Sequence, residues 1–317
     1  MEHSLVFKIK KYRKVLMKMK TTKKLAALLI GMPLASAGIF AGELSSYTSE
    51  VKINDYDAGK QKTEWTLGKG SYKLNDNFKF LFDVDKDFIE SADGTTKQGW
   101  DTQFGFSQKL AQVAGFDLSV YYLTRYDASW SADDGSGEKA IFQYIVSPVF
   151  SKDITIADKD FSLTIETWAQ VGNTDGGSLQ DKNGFETSFY LNGSLSDNWE
   201  LELAWYNFDY YDSVEDEYDY QLGTEDYLTY SMPLAENVTF SVEGYLEAYY
   251  TPDGEVLNVY SHVAPEVKYS KKVSDDFSWH AAVSYDVLKY EYAKTEGTSG
   301  TVNRDNNEME ITVGFKF

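Results

Sequence analysis

Long runs of strict two-residue alternation occupy most of the chain from about residue 44 onward, and nothing else in it restricts the fold as much. Successive side chains of a β-strand point to opposite faces, so each such run carries one apolar and one polar face. In 116–122, Phe116, Leu118, Val120 and Tyr122 share one face, while Asp117, Ser119 and Tyr121 share the other. In 199–205, Trp199, Leu201, Leu203 and Trp205 alternate with Glu200 and Glu202, and 161–166, 238–243 and 277–285 repeat the pattern. The 3.6-residue period of an amphipathic helix is not found.

The alternation divides into fourteen strands, near 44–56, 63–74, 78–91, 99–111, 116–131, 140–151, 160–171, 184–195, 199–212, 218–232, 237–250, 257–271, 276–293 and 306–317. Most far exceed the usual strand length of about 5–6 residues, and a tilted strand crosses a bilayer in about 9–11. Four of them follow nearly identical connectors: Leu74-Asn-Asp-Asn-Phe78, Leu195-Ser-Asp-Asn-Trp199, Leu234-Ala-Glu-Asn-Val238 and Val273-Ser-Asp-Asp-Phe277. Their Asn, Asp and Ser side chains bond to nearby backbone and tolerate left-handed dihedrals. Longer Gly- and Asp-rich connectors fall at the opposite ends, the longest near 172–183 and 294–305. Long antiparallel strands, even in number, with short turns at one end and longer loops at the other predict an all-β transmembrane antiparallel up-and-down β-barrel. Twelve or sixteen strands stay open, because the first pair is the weakest in pattern.

Composition fits this only once it is resolved by face. Mean hydropathy is -0.43, yet in a barrel every second residue alone faces lipid, so a window average conceals an apolar band. Aromatics on the apolar face gather near strand ends: Phe78, Phe116, Phe150, Phe161, Trp199, Phe277 and Trp279 at the short-turn end, Tyr122, Tyr126, Tyr250 and Tyr285 at the other. Such girdles mark the two membrane interfaces. The absence of cysteine excludes a disulfide framework, a thiolate metal site and a cysteine nucleophile. A net charge of -20 excludes a nucleic-acid partner, since a polyanion would be repelled.

The first 37 residues have the order of an export signal: a basic segment, an apolar stretch from Leu25 broken by Pro33, and Ala35-Ser36-Ala37 as a small-x-small cleavage pattern. Cleavage is expected after Ala37, with Ala41 as the alternative, and Met17 or Met19 could be the true start. Residues 1–37 then form a signal peptide with an extended basic front, and 38–317 a single barrel domain. Removing nine bases and one acid leaves 21 Lys and Arg against 49 Asp and Glu, a net charge of -28.

The last strand, Met309-Glu-Ile-Thr-Val-Gly-Phe-Lys-Phe317, alternates apolar residues and ends in Phe, and it resembles the terminal signal of Gram-negative outer-membrane barrels. With the leader and the Ser-Asp-Asn turns, the chain resembles monomeric fourteen-stranded porins of the outer membrane porin G type. The resemblance implies a water-filled channel in the cell outer membrane, surrounded by lipid and lipopolysaccharide. It also implies assembly through the barrel assembly machinery, which would read Ile311, Val313, Phe315 and Phe317. A monomer without a cofactor is expected. The similarity to oligogalacturonate-specific porins is looser, because only Arg125 and Arg304 remain after processing and no ladder of bases awaits an acidic sugar.

If apolar faces meet lipid, the polar faces line the interior. The acids so placed are Asp83, Asp85, Asp101, Asp117, Glu166, Glu186, Glu200, Glu202, Glu243, Glu247, Glu266, Asp286 and Glu310, against Lys79, Lys109, Arg125, Lys268 and Lys316. An excess of carboxylates along a pore predicts passage of small hydrophilic solutes with mild cation preference. Tyr121, Tyr190, Tyr206, Tyr245, Tyr249, Tyr260 and Tyr290 fall on the same face and leave a sugar-specific channel as an alternative. A surface adhesin or receptor on the same scaffold is another, which the short loops disfavour.

Asp226 falls on the lipid register and predicts either a bulge in its strand or a misplaced strand boundary. The acid run 215–219 has no EF-hand spacing and reads as a solvated loop. No metal site or catalytic residue is expected: of the two histidines left after processing, Ser261 faces away from His262, and Ser278 with His280 lacks an orienting acid.

Overall fold

A strand leaves half of its backbone amides to each neighbour, so long strands in lipid are tenable only when every one is paired on both sides. The computed structural model describes residues 43–317 apart from 57–58, 92, 132–138, 176–181, 213–216, 251–255, 296–297 and 302–307. The expected leader, Ala35 and Ala37 included, lies outside the described residues, as do Glu215 and Asp216 of the acid run at 215–219, whose other three residues, expected in a loop, instead pair as strand. The first strands are β1 (Glu43–Tyr56), β2 (Gln61–Asn75), β3 (Phe78–Glu90), β4 (Thr96–Val113), β5 (Phe116–Ser131) and β6 (Lys139–Ile156). They are followed by β7 (Lys159–Asp175), β8 (Lys182–Ser196), β9 (Trp199–Asp212), β10 (Glu217–Ala235) and β11 (Val238–Tyr250). The chain ends with β12 (Val256–Ser274), β13 (Phe277–Tyr285), β14 (Leu288–Thr295), β15 (Thr298–Thr301) and β16 (Glu308–Lys316).

All pairings are antiparallel and run between chain neighbours from β1 to β12. Beyond β12, both β13 and β14 pair with it, β15 pairs with β14, and β16 pairs with β13 and returns to β1. Thus β13 and β14 are two halves of one wall strand, as are β15 and β16, and the molecule is a closed barrel of fourteen strands. The expected count of fourteen is the one formed, the uncertain first pair included.

Short turns of two residues connect β2 to β3, β4 to β5, β6 to β7, β8 to β9, β10 to β11 and β12 to β13. The four repeated Asn/Asp connectors are among them. Two more were less legible: Ala114 and Gly115 have φ of 52° and 82°, and Ala157 and Asp158 have 49° and 62°. Two successive left-handed residues make the turn whose twist matches that of antiparallel strands. Residues 152–156, expected outside the strands, therefore continue β6. Likewise 172–175 and 182–183 belong to β7 and β8, and 298–301 pairs with 292–295, so the two segments expected to be the longest loops are partly strand.

A bulge separates β13 from β14. Four steps along β12, from Val267 to Val263, oppose five on the partner, from Val283 to Leu288. Asp286 N donates to Glu308 O at 2.9 Å on one side, and Val287 N donates to Val263 O at 2.9 Å on the other. One extra residue reverses the faces beyond it. Tyr290, expected on the polar face, consequently stands on the outer wall, 47% exposed.

Bulky apolar residues such as Phe104, Phe189, Trp205, Leu228, Leu246 and Val313 are exposed on that outer wall. At its seam the terminal Phe317 ring lies 4.8 Å from that of Phe277 and 5.7 Å from that of Tyr47. Phe317 N also donates to Tyr47 O at 2.9 Å. The final residue thus fastens the last strand to the first.

Candidate pore lining

The opposite register faces inward. A cavity of about 540 Å³ is lined by Lys52 on β1, Thr229 on β10, Glu243 on β11, His262 on β12, Asp286 in the bulge and Glu310 on β16. Strands as distant in the sheet as β1 and β10 can share a cavity only across the interior of the cylinder.

Two parts of the inner wall differ in how their acids are partnered. On β2 to β5 acids and bases are interleaved. Lys69 lies 2.8 Å from Asp83, and Lys62 bonds to Glu64 and lies 3.8 Å from Asp87. Arg125 grips Asp101 through Nε at 3.2 Å and Nη2 at 2.7 Å, the two-pronged geometry that suits a guanidinium to a carboxylate. Asp85 faces Asp101 and Thr66 across its two ladders, and Asp117 accepts from Gln112 at 3.1 Å.

On β8 to β12 the partners are hydroxyls and rings. Tyr206 and Tyr249 both donate to Glu225, at 3.1 and 3.2 Å, and Tyr245 donates to Glu247 at 2.7 Å. The rings of Tyr227 and Tyr245 lie 4.6 Å apart, those of Tyr245 and Tyr260 5.7 Å, and those of Tyr190 and Tyr206 5.9 Å. Among the described residues no basic side chain forms an ion pair with Glu200, Glu202, Glu225 or Glu247. A second cavity of about 550 Å³ is lined by Glu200, Glu202, Glu225, Tyr227 and Glu243. Between the two parts Ser147 donates to Glu166 at 2.7 Å, and on β8 Ser188 donates to Glu186 at 3.1 Å. Glu266 accepts from Ser241 at 3.4 Å, and Glu310 from Thr312 at 2.9 Å.

The register brings further charged residues to the inner wall. Glu225 pairs across the ladder with Glu247, and its alternation with Asp226 was the available signal. Lys52, Lys62, Lys69, Glu50 and Glu64 lie on β1 and β2, whose bulges between Thr48 and Glu50 and between Thr66 and Gly68 blur the period. The histidines have acidic partners: His262 Nε2 is 3.4 Å from Glu243, and His280 Nε2 is 3.0 Å from Glu50.

Asp226 has a different explanation from the one expected. The β9–β10 ladder is continuous from Glu217 to Tyr230, so no bulge removes this carboxyl from the outer face. It sits between Leu203 and Leu246, beside an outer-wall hollow that also exposes Gly244 and Ser261. Its Oδ1 is buried without a hydrogen-bond partner.

A closed cylinder with an apolar outside and a charged inside defines the class: a membrane-type up-and-down β-barrel. No family model and no curated protein matches the chain. Among solved structures it is similar to CdiB from Acinetobacter baumannii, with a TM-score of 0.47 and 8% identity over 86% of this chain and 60% of that one. It is also similar to the COG4313 outer membrane channel from Pseudomonas putida F1, at 0.41 and 10%, covering 88% of this chain and 96% of the other. The KdgM porin is similar at 0.33 and 10%, covering 85% and 98%. The architecture given above rests on the chain's own strand register and not on these likenesses.

Proposed function

We propose that the barrel is an outer-membrane channel for passive diffusion of small hydrophilic solutes, with a mild preference for cations. The observation that carries this reading is the unequal partnering of the inner wall. On β2 to β5, Lys62, Lys69 and Arg125 contact four of the acids, Glu64, Asp87, Asp83 and Asp101, while those of β9 to β11 meet only tyrosines and one histidine. Uncompensated carboxylates lower the energy of a cation along that wall. Screening over about 8 Å at physiological salt keeps the preference mild in a wide pore.

Export by the leader, assembly through Ile311, Val313, Phe315 and Phe317, a lipopolysaccharide surround and a monomeric state belong to the same reading. Planar-bilayer recording of the refolded chain tests it. Stable ohmic conductance with a cation-selective reversal potential in a salt gradient is expected, and no conductance would refute it. The tyrosines of β8 to β12 favour a second reading, a path for sugars, whose rings stack on aromatic faces. Block by a neutral oligosaccharide would distinguish that case.

A further inference from the structure

Two polar side chains close to the bulge are more than nine-tenths buried and still have an acceptor atom without a partner. Asp286 is 6% exposed and Asn54 is 7% exposed, and neither Asp286 Oδ2 nor Asn54 Oδ1 receives a hydrogen bond. Glu308 links them. Its side chain accepts from Asn54 Nδ2, and its backbone carbonyl accepts from Asp286 N at 2.9 Å. Asp286 and Glu308 both line the inner cavity. A buried acceptor left unmatched is costly, and a carboxylate more so.

What would satisfy these atoms is a donor carrying positive charge. Among the described residues no group of three or more His, Asp or Glu side chains is arranged to hold a metal ion. The neighbouring wall is aromatic instead: Tyr260 Oη is 3.1 Å from His262 Nδ1, and Lys289 holds its ammonium 5.0 Å over the Tyr260 ring. That contact is a cation–π arrangement. Asp286 shares the cavity wall with His262, Glu308 and Glu243. We infer that Asp286, Asn54 and Glu308 form a binding step for small primary ammonium compounds, whose N–H groups meet the two free acceptors while the alkyl part rests toward Tyr260. The inference rests on the interior being a solute path and names a class of solute for it.

Calorimetric titration of the refolded, full barrel in detergent tests this without requiring conductance. Butylammonium is expected to bind, and tetramethylammonium, which has no N–H, is expected to bind far more weakly. Asp286→Asn should weaken butylammonium roughly tenfold or more, the scale of a lost charged hydrogen bond. The turn variant Asp76→Asn should bind as the parent does. If Asp286→Asn does not refold, Asn54→Leu reads the same site and should also weaken binding. Equal binding of the two ammonium compounds, tighter binding of calcium, or unchanged binding in the variants would overturn the inference. Conductance without butylammonium binding refutes the site alone, whereas binding without conductance refutes only the channel.

Discussion

His280 and Glu50 meet across a strand that belongs to neither of them. His280 Nε2 lies 3.0 Å from Glu50 Oε2. In the register both residues flank Gly314 of β16, His280 from β13 and Glu50 from β1. A Cβ at 314 would fall 2.3 Å from His280 Cε1. The missing side chain is therefore what lets the pair bridge the closing strand from inside, while Phe317 fastens it from outside.

Gly314→Ala should consequently displace the His280 ring and loosen the closure. A loss of about 1–3 kcal/mol is expected, the range for overpacking a tight site. Urea unfolding from lipid vesicles measures it, and parent-like stability would show that the ring moves aside freely.

The inner-wall argument makes a charge-specific prediction. Neutralising Glu200, Glu202 and Glu225 together to Gln should shift the reversal potential toward zero. Replacing both partners of an ion pair, Lys69→Met with Asp83→Asn, should leave it nearly unchanged, because the net charge of the wall is conserved. Equal shifts in the two variants would remove the basis for assigning selectivity to β9–β11.

Asp226 places a carboxyl between two leucines on the outer face. Replacing it by Leu should stabilise the barrel by on the order of 1 kcal/mol, since charged groups facing lipid are destabilising, acids less than bases. A lower unfolding midpoint for Asp226→Leu in the same vesicle assay would mean that the carboxyl has a stabilising partner.

The turn between β2 and β3 carries a pH-dependent contact outside the membrane. Lys73 lies 2.7 Å from Asp76, and its hydrogen bond, followed by its charge, holds the Asp76 carboxyl below the ordinary range. A depressed carboxylate contributes stability that is present above its unfolded pKa and lost as pH falls through the folded one. At neutral pH the contribution is complete, and for so exposed a pair it is small. In Lys73→Met, NMR titration of the Asp76 carboxyl should return it to the ordinary range.

Much of this is legible in the sequence. Trp199-Glu-Leu-Glu-Leu-Ala-Trp205 declares two faces by itself, because a strand offers no other disposition of alternate side chains. The Asp197-Asn198 and Asp275-Asp276 turns declare themselves through turn chemistry. Ala157-Asp158 was harder, since its left-handed dihedrals belong to residues that do not require them. The inward placement of Glu225 was available from the same alternation that raised the question of Asp226.

Alternation and turn spacing, then, were enough to determine that the chain makes long antiparallel strands with one apolar and one polar face, while the choice of fourteen over twelve or sixteen came from the closed pairing. Those are local properties, set by residues within one strand or one turn. Only the tertiary structure decided which acids have partners, that one inserted residue at Asp286–Val287 turns Tyr290 outward, and that His280, Gly314 and Glu50 meet at the seam. Each depends on register between strands far apart in sequence, and register is set by pairing around the whole closed barrel rather than by any single segment.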